Sequence, residues 1–544
     1  MRRKWLKGAL WVLLTPIVLF VILMILLYVP PVQNFIRKQA TAIASDATGM
    51  NISVERIDLR FPLNLLVRGV QVVQSEADAA DVQHPDTLLN LGSLNVSVQA
   101  WPLLQGRVEV NAITLQQVAV NSSNLLEGMH IKGTLGRFFL ESHGIDLKKE
   151  DAILNNVELS NTHMQVMLAD TTETPKDSTE TAVNWRIALH NLKLKNVSVD
   201  LQMPLDSMAL GANIGDASIE DANLDLKRQF YGWRRFTLTE SAVNYDLGMA
   251  APVEGFDASH IALRDIRIGI DSVMACGRDM NAIIREFSMY DRSGLTVTSL
   301  TGRLFADSTL IRIPYLQLKT PHSDMDLTAQ TYWKLVDIPT TGHLSARFNA
   351  NIGKQDVLLF AGGLPETFKE AYPFRPLVIH AGTEGNLKQM QISRFTAELP
   401  GAFFLSGGGE LWNLTDSLTR NGGLDFEMQT QDLNFLTGLT GVTPDGSIIV
   451  PDSMNLVARL GLDGPQCNAI LKIKEGEGSL GLDAAYNLNT EVYHADLAID
   501  ALQLHHFLPK DSIYTLTARV TAKGQGVDVA SHKTIARVEA KLDE

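Results

Sequence analysis

The strongest constraint on this chain is a spacing of apolar residues that returns at distant places. Ile113, Leu115, Val118 and Val120 are separated by two, three and two positions, and the spacing recurs at Leu192, Leu194, Val197 and Val199. A weaker copy is Ala217, Ile219, Ala222 and Leu224. Successive residues of a strand point to opposite faces, so steps of two hold one face and a step of three loses it. Two geometries restore the face. A tight two-residue turn between the middle pair folds the segment into a hairpin. A strand that runs through with one extra residue forms a β-bulge and bends. The middle pairs Gln116-Gln117, Lys195-Asn196 and Glu220-Asp221 lack the glycine that a two-residue hairpin prefers, which favours bulges. Both geometries give a sheet with one persistently apolar face.

Period-two patterns surround the repeat. Ile52, Val54, Ile57, Leu59 and Phe61 begin them, and Leu65, Val67, Val70 and Val72 continue. Phe287 and Met289 are joined to Leu295 and Val297 by the turn-forming Asp291-Arg292-Ser293-Gly294. Further strands are expected at Ile311 to Leu318, Ile392 to Leu399, Leu424 to Met428, Leu456 to Leu462, Ala469 to Ile473 and Leu516 to Val520. Helical spacing is confined to two places. Val32, Phe35, Ile36, Ala40, Ile43, Ala44 and Ala47 predict a short amphipathic helix ending at Gly49, lying on a membrane leaflet or, the safer expectation, capping the sheet that follows. Gln355 to Phe368 reads as a helical interruption weakened by Gly362, Gly363 and Pro365. Asp170 to Thr181 is polar, carries Pro175 and reads as a loop. Length alone allows three or four domains, a prior that fails where one sheet repeats.

Ahead of all this stands Gly8 to Val29, 22 residues without a charge. As a helix it would cover roughly 33 Å, enough for a hydrocarbon core of about 30 Å. The rival reading is a cleaved signal peptide, but the run exceeds a signal-peptide core and Tyr28-Val29-Pro30-Pro31 has no small-x-small cleavage site. Gly8, Trp11, Phe20, Tyr28 and Val29 are thus candidate anchor residues, with Trp5, Trp11 and Tyr28 near the two ends. Arg2, Arg3, Lys4 and Lys7 precede the span and predict a cytoplasmic N-terminus with the rest of the chain outside the cytoplasm.

The net charge of −14 argues against nucleic acid and against charge-driven binding to an anionic surface. Cys276 and Cys467 cannot form a disulfide framework. No nucleophile elbow or phosphate loop is present. Gly407-Gly408-Gly409 reads as a turn or bulge, and His505-His506, as strand neighbours, would face opposite ways and so reads as a solvated loop. Asp324 and Asp326 share a strand face, as chance allows among 61 acidic residues. No enzyme and no cofactor or metal site is expected.

One stretch carries a family resemblance. The anchor, the helix ending at Gly49, Phe61-Pro62 with Gly69-Val70, Leu88-Leu89, Leu94, and Trp101-Pro102-Leu103-Leu104 with Gly106, Val108 and Val110 resemble, in that order, the opening of the AsmA-like superfamily, specifically the N-terminal portion of TamB-like translocation and assembly module proteins. Leu502 to Val529 resembles a segment of the Bacteroides-type members. The resemblance implies a mostly β fold: an N-terminal transmembrane helix, then a long curled repeating β-groove with few short helices. It also implies an inner-membrane anchor, a periplasmic body, and an outer-membrane β-barrel partner met through a C-terminal region absent here.

The expected organisation is therefore a cytoplasmic stub and membrane helix over 1–30, a connecting helix over 31–49, a first groove part over 50–350, a helical interruption over 351–370 and a continuing, truncated groove over 371–544. The function expected is holding or conducting phospholipid by its acyl chains between inner and outer membranes. The candidate groove residues are Ile113, Leu115, Val118, Val120, Leu192, Leu194, Val197, Val199, Phe287, Met289, Leu295 and Val297, for which plain β-core packing is the competing role. The alternative function is an assembly factor for outer-membrane β-barrel proteins, working by sheet-edge augmentation.

Overall fold

The computed structural model describes residues 30–48, 50–60, 64–73, 87–99, 110–122, 129–146, 149–168, 184–440, 446–511, 514–526 and 533–543. Outside them lie the candidate span Gly8 to Val29, Gly49, Phe61, Pro62, Trp101 to Gly106 and the loop Asp170 to Thr181. Among the described residues no helix is long and apolar enough to cross a membrane. The fold is mostly β, and the chain divides into two compact units, residues 1–251 with 258–277 and residues 252–257 with 278–544.

The first unit opens with helix α1 (Pro30–Thr48), whose prolines sit in the first turn where backbone N–H groups need no helical partner. Ten strands follow. They are β1 (Asn51–Arg60), β2 (Asn64–Val73), β3 (Thr87–Val98), β4 (Val110–Asn121) and β5 (Met129–Asp146). Then come β6 (Asp151–Leu168), β7 (Arg186–Met203), β8 (Met208–Asp225), β9 (Phe230–Leu247) and β10 (His260–Cys276). Each pairs with the next, antiparallel throughout except β6 with β7, which run parallel. The edge of β1 is covered by α1. Arg37 Nη1 donates to Val54 O at 3.2 Å and Glu55 O at 2.8 Å, Gln33 Nε2 donates to Leu59 O at 3.4 Å, and Ser45 Oγ accepts from Ile52 N at 3.1 Å. Side chains thus occupy backbone groups that an edge strand leaves open.

The three-residue step of the repeat is a bulge-like crease inside continuous strands, and no hairpin turn forms there. Gln117 in β4 and Asn196 in β7 adopt φ of 56° and 52°, as do Asn161 in β6 (51°), Glu240 in β9 (53°) and Asp265 in β10 (53°). The ladders skip these residues and their neighbours together. Leu135 pairs with Thr162 and Arg137 with Ser160, which leaves Gly136 facing Asn161. Left-handed backbone is unfavourable for residues with a Cβ, least so for Asn. Glycine meets them for steric reasons: a Cβ on Gly136 would lie 2.8 Å from Asn161 Cβ, and one on Gly215 would lie 2.4 Å from Glu240 O. Where β6 and β7 run parallel, both facing residues are asparagines, and Asn196 Nδ2 donates to Asn161 Oδ1 at 2.9 Å.

A second crease runs six or seven residues away through the longer strands. It passes His143, Asn155, His190, Asp221 (φ 50°), Arg234 and Ser272 (φ 54°), which the ladders skip in turn. Its polar side chains link across strands. Asn155 Nδ2 meets His143 Nδ1 at 2.5 Å, His190 Nδ1 meets Asp221 Oδ1 at 3.2 Å, and Arg234 Nε donates to Asp221 Oδ2 at 2.7 Å. Arg234 first, and His190 after it, hold the Asp221 carboxyl below its usual range. Ala217, Ile219, Ala222 and Leu224 straddle this second crease, so the weaker copy of the repeat marks a different level from the other two.

Among the described residues the second unit has sixteen strands. The first eight are β11 (Asp279–Asp291), β12 (Thr296–Val297), β13 (Ser299–Ala306), β14 (Leu310–Lys319), β15 (Asp324–Tyr332), β16 (Leu344–Ile352), β17 (Leu377–Asn386) and β18 (Gln389–Leu399). The rest are β19 (Phe403–Trp412), β20 (Asn421–Thr430), β21 (Asn455–Asp463), β22 (Gln466–Glu475), β23 (Gly478–Asn487), β24 (Val492–Gln503), β25 (Thr515–Gln525) and β26 (Lys533–Asp543). β11 pairs with both β12 and β13, and from β13 onward each strand is antiparallel to the next.

Its helices are short and sit in connections: α2 (Trp333–Asp337), α3 (Lys354–Leu359), α4 (Glu366–Ala371) and α5 (Leu504–Phe507). The expected interruption at Gln355 to Phe368 is thus two helices, broken where Gly362, Gly363 and Pro365 stand. Phe368 and Tyr372 pack with Phe435, ring centroids 5.5 to 5.9 Å apart, over Leu399, Ala402 and Leu433. Burial pushes the Tyr372 hydroxyl pKa up. This cluster sits at strand ends.

The creases generate a paired prediction. Gly215→Ala drives a methyl into a backbone carbonyl and is expected to destabilise the chain by about 2 kcal/mol or more. Gln117→Gly relieves a left-handed non-glycine residue and is expected to stabilise by about 1 kcal/mol. Urea unfolding of the two variants checks the opposite signs.

Candidate functional site: an apolar sheet face

Register turns the alternation of single strands into rows that cross the sheet. In the first unit one row reads Ile57, Val67, Leu94, Leu115, Phe138, Leu159, Leu194, Ala217, Leu238 and Ile268 from β1 to β10. The next reads Leu59, Leu65, Val96, Ile113, Leu140, Val157, Leu192, Ile219, Phe236 and Ile270. Across the first crease lies Ile52, Val72, Leu89, Val120, Gly133, Met164, Val199, Ala212, Val243 and Leu263. No charged or hydrogen-bonding side chain interrupts these three rows.

A fourth row beside the crease contains Val54, Val70, Leu91, Val118, Leu135, Thr162 and Val197. Thr162 is buried, and its hydroxyl donates to Ser160 O at 3.4 Å. Ser241, also buried and following a left-handed residue, donates to Thr239 O at 2.9 Å. Both hydroxyls turn back on their own strand, which satisfies them without a charge on the apolar face.

The opposite face is polar. Arg56, Arg68, Ser93, Gln116, Arg137, Ser160, Lys195, Asp216 and Thr239 form one of its rows. Arg235 Nε reaches Asp271 at 3.3 Å. In the second unit Asp425 and Arg459 pair across β20 and β21 at 2.5 Å, and Arg459 holds the Asp425 carboxyl below its usual range. Asp324 and Asp326 are likewise accounted for, by Lys319 at 3.5 Å and Asn349 at 2.7 Å.

The second unit carries rows of the same kind. One reads Leu316, Leu327, Phe348, Ala381, Phe395, Gly407, Phe426, Ala458, Leu471, Leu482, Leu497, Val520 and Val538. Gly407 lies between Phe395 and Phe426, whose ring centroids approach to 6.3 Å nearly perpendicular. A Cβ on Gly407 would fall 2.3 Å from Phe426 Cδ1, so the glycine makes room for the ring. The glycine triplet is therefore mid-strand, opposite a bulge at Ser393-Arg394 of β18. Towards the far end of these strands a recess of about 490 Å³ opens, with Leu424, Leu460, Ala469, Ala484, Tyr486 and Tyr493 among its lining residues.

Ile113, Leu115, Val118 and Val120 thus fall in four adjacent rows, and Leu192, Leu194, Val197 and Val199 fall in the same four. Gly69 belongs to the first crease, with φ of 60°. Met289 faces Val297 across the β11–β12 hairpin, and Val297 is buried; Phe287 and Leu295 have no partner in these rows. His505 and His506 occupy the one-turn helix α5, where the expectation was a loop. His506 Nδ1 meets the buried Glu475 at 2.5 Å, and His505 Nδ1 meets Tyr514 O at 3.1 Å. Cys276 and Cys467 are unpaired. Among the described residues no group of His, Cys, Asp and Glu is arranged to hold a metal ion.

Two residues of β21 separate the faces experimentally, because Leu460 on the apolar face is 47% exposed and Val457 on the polar face 51% exposed. Leu460→Asp is expected to weaken binding of an apolar fluorescent probe several-fold, whereas Val457→Asp leaves it unchanged; titration with the probe reads the difference. Comparison with family models and with curated proteins gives no match to this chain.

Proposed function

We propose that the apolar face is a groove that holds or conducts phospholipid by its acyl chains, with no chemical step. The observation that carries this reading is the continuity of the apolar rows. A sheet face of this kind must be covered by another layer, by membrane or by an apolar ligand. The helices described in the second unit lie in connections at strand ends and do not supply such a layer.

The creases support the same reading. At each, two consecutive side chains stand on the polar side, as do Gln116 and Gln117 or Lys195 and Asn196, while the residues before and after share the apolar side. The extra residue lengthens the polar side, so the strand curls towards its apolar face. Acyl chains suit the result. Each CH₂ withdrawn from water contributes about 0.8 kcal/mol, and this attraction has no direction, so a chain can slide from row to row with little net change.

The candidate span Gly8 to Val29 and the family resemblance place this groove, in our reading, in the periplasm of a bacterium, tethered to the inner membrane and directed towards the outer one. Among the described residues β26 is paired with β25 alone, which supports a second reading, an assembly factor for outer-membrane β-barrel proteins acting by sheet-edge augmentation.

Lipid mass spectrometry of the purified chain tests the first reading. Co-purified phospholipid is expected from the unaltered protein and a marked loss from Leu194→Asp, with Lys193→Asp on the polar face as the control. A lipid-free protein, together with an envelope defect caused by proline in β26 and none caused by Leu194→Asp, would move the second reading into first place.

A further inference from the structure

The polar face of the first unit holds a pocket that the lipid reading does not use. Gln71, Asn90, Ala119, Thr134 and His163 form one row across β2 to β6, and Asn121, Lys132 and Gln165 form the next across β4 to β6. Both rows alternate with Val72, Leu89, Val120, Gly133 and Met164 of the apolar face, so their side chains stand on the polar one. They line a cavity of about 440 Å³. Small-molecule sites span about 300 to 1,000 Å³. Ala119 is exposed and has the shortest side chain of its row, which leaves the floor of the cavity low. We propose that this pocket binds an uncharged sugar through its hydroxyl groups.

Unused hydrogen-bonding capacity carries the proposal. Gln71, Asn90, Asn121, Lys132, Thr134 and Gln165 all line the pocket, and among the described residues none of these side chains makes a hydrogen bond or ion pair. Elsewhere on the polar side the same residue types satisfy one another: Asn156 Nδ2 donates to Glu141 Oε2 at 2.7 Å, and Asn196 Nδ2 to Asn161 Oδ1 at 2.9 Å. A side-chain amide both donates and accepts, as a sugar hydroxyl does, so amides on neighbouring strands match adjacent hydroxyls of a ring. His163 Nδ1 meets Ser198 Oγ of β7 at 2.6 Å, which fixes the imidazole at one end of its row.

Other ligand classes fit less well. Among the described residues no carboxylate lines the pocket, so a cation or an amine finds no counter-charge. Lys132 is its one fixed positive charge, whereas a compact anion draws its affinity from several charge-assisted bonds. An extended peptide adds to an open sheet edge, and β2 to β6 are each paired on both sides. The site is on the face opposite the proposed lipid groove, so it stands or falls separately from that reading.

The test is isothermal titration calorimetry of the full chain, in a detergent without a sugar headgroup, with N,N′-diacetylchitobiose and maltose as probes. Saturable binding of at least one is expected. Ala119→Trp fills the floor and is expected to lower the affinity about tenfold or more. Lys193→Trp, the same bulk on the same face away from the pocket, leaves it unchanged. Asn90→Ala combined with Asn121→Ala removes two exposed or half-buried amides without adding bulk and is expected to weaken binding roughly tenfold. Lys132→Gln keeps a donor without the charge and is expected to stay within about threefold, while inorganic phosphate does not bind. Sedimentation with insoluble chitin, against flotation with phosphatidylcholine vesicles carrying a glucosylated lipid, tells a polysaccharide from a lipid headgroup as the source of the sugar. A chain that binds neither disaccharide overturns the proposal. So does sugar binding indifferent to Ala119→Trp, or phosphate binding that Lys132→Gln abolishes.

Discussion

The first unit depends on the alignment of its creases. At Asn161 and Glu240 a residue with left-handed backbone is accommodated because one neighbouring strand yields at the same level, where the two backbones approach within Cβ distance. Glycine yields at Gly136 and Gly215, facing Asn161 and Glu240. Once the skipped positions coincide, every residue on either side returns to register, and the apolar residues fall into rows. A misplaced crease in one strand would turn half of it over and break every row it crosses.

This accounts for how much could be read from the chain beforehand. The motif was visible at Ile113 to Val120 because all four positions are large and apolar. The same two-three-two spacing is present in β5 as Gly133, Leu135, Phe138 and Leu140, in β6 as Val157, Leu159, Thr162 and Met164, and in β9 as Phe236, Leu238, Ser241 and Val243. There a glycine or a hydroxyl stands at one position, and the pattern drops out of an apolar count. The hydroxyls are tolerated because they bond back to their own strands. Lateral order was also hidden: nothing in the residues of β6 and β7 distinguishes a parallel neighbour from an antiparallel one. The one-turn helix at His505-His506 was illegible for a simpler reason. Four residues are too few to show a period, and the contact that explains His506 is with Glu475, 31 positions away.

Each unit keeps one of its own faces apolar, and the means differ. The first is creased in strand after strand. Among the described residues the second has bulges in three strands, at Pro314-Tyr315, Ser393-Arg394 and Asp500-Ala501, with both residues of each pair exposed. Pro314 fits such a site, since a bulge releases it from donating to the ladder. At the third bulge the freed N–H of Ala501 is taken by Thr517 Oγ1 at 3.1 Å. Between bulges the second unit adjusts its face by size, with glycine under phenylalanine in one row and alanines beside leucines in the recess.

An apolar face left open carries a thermodynamic consequence. The ladders and the paired charges of the polar side hold each sheet together, but apolar surface in water forgoes about 25 cal/mol per Å² of potential burial. Whatever covers that face binds the folded chain and not the unfolded one, and so stabilises it by mass action. Stability and occupancy are then one equilibrium. A substitution on the apolar face acts on both together, whereas a substitution in a crease acts on occupancy only through the shape of the sheet. On the proposed function, that asymmetry separates residues that would touch the lipid from residues that build the surface it would lie on.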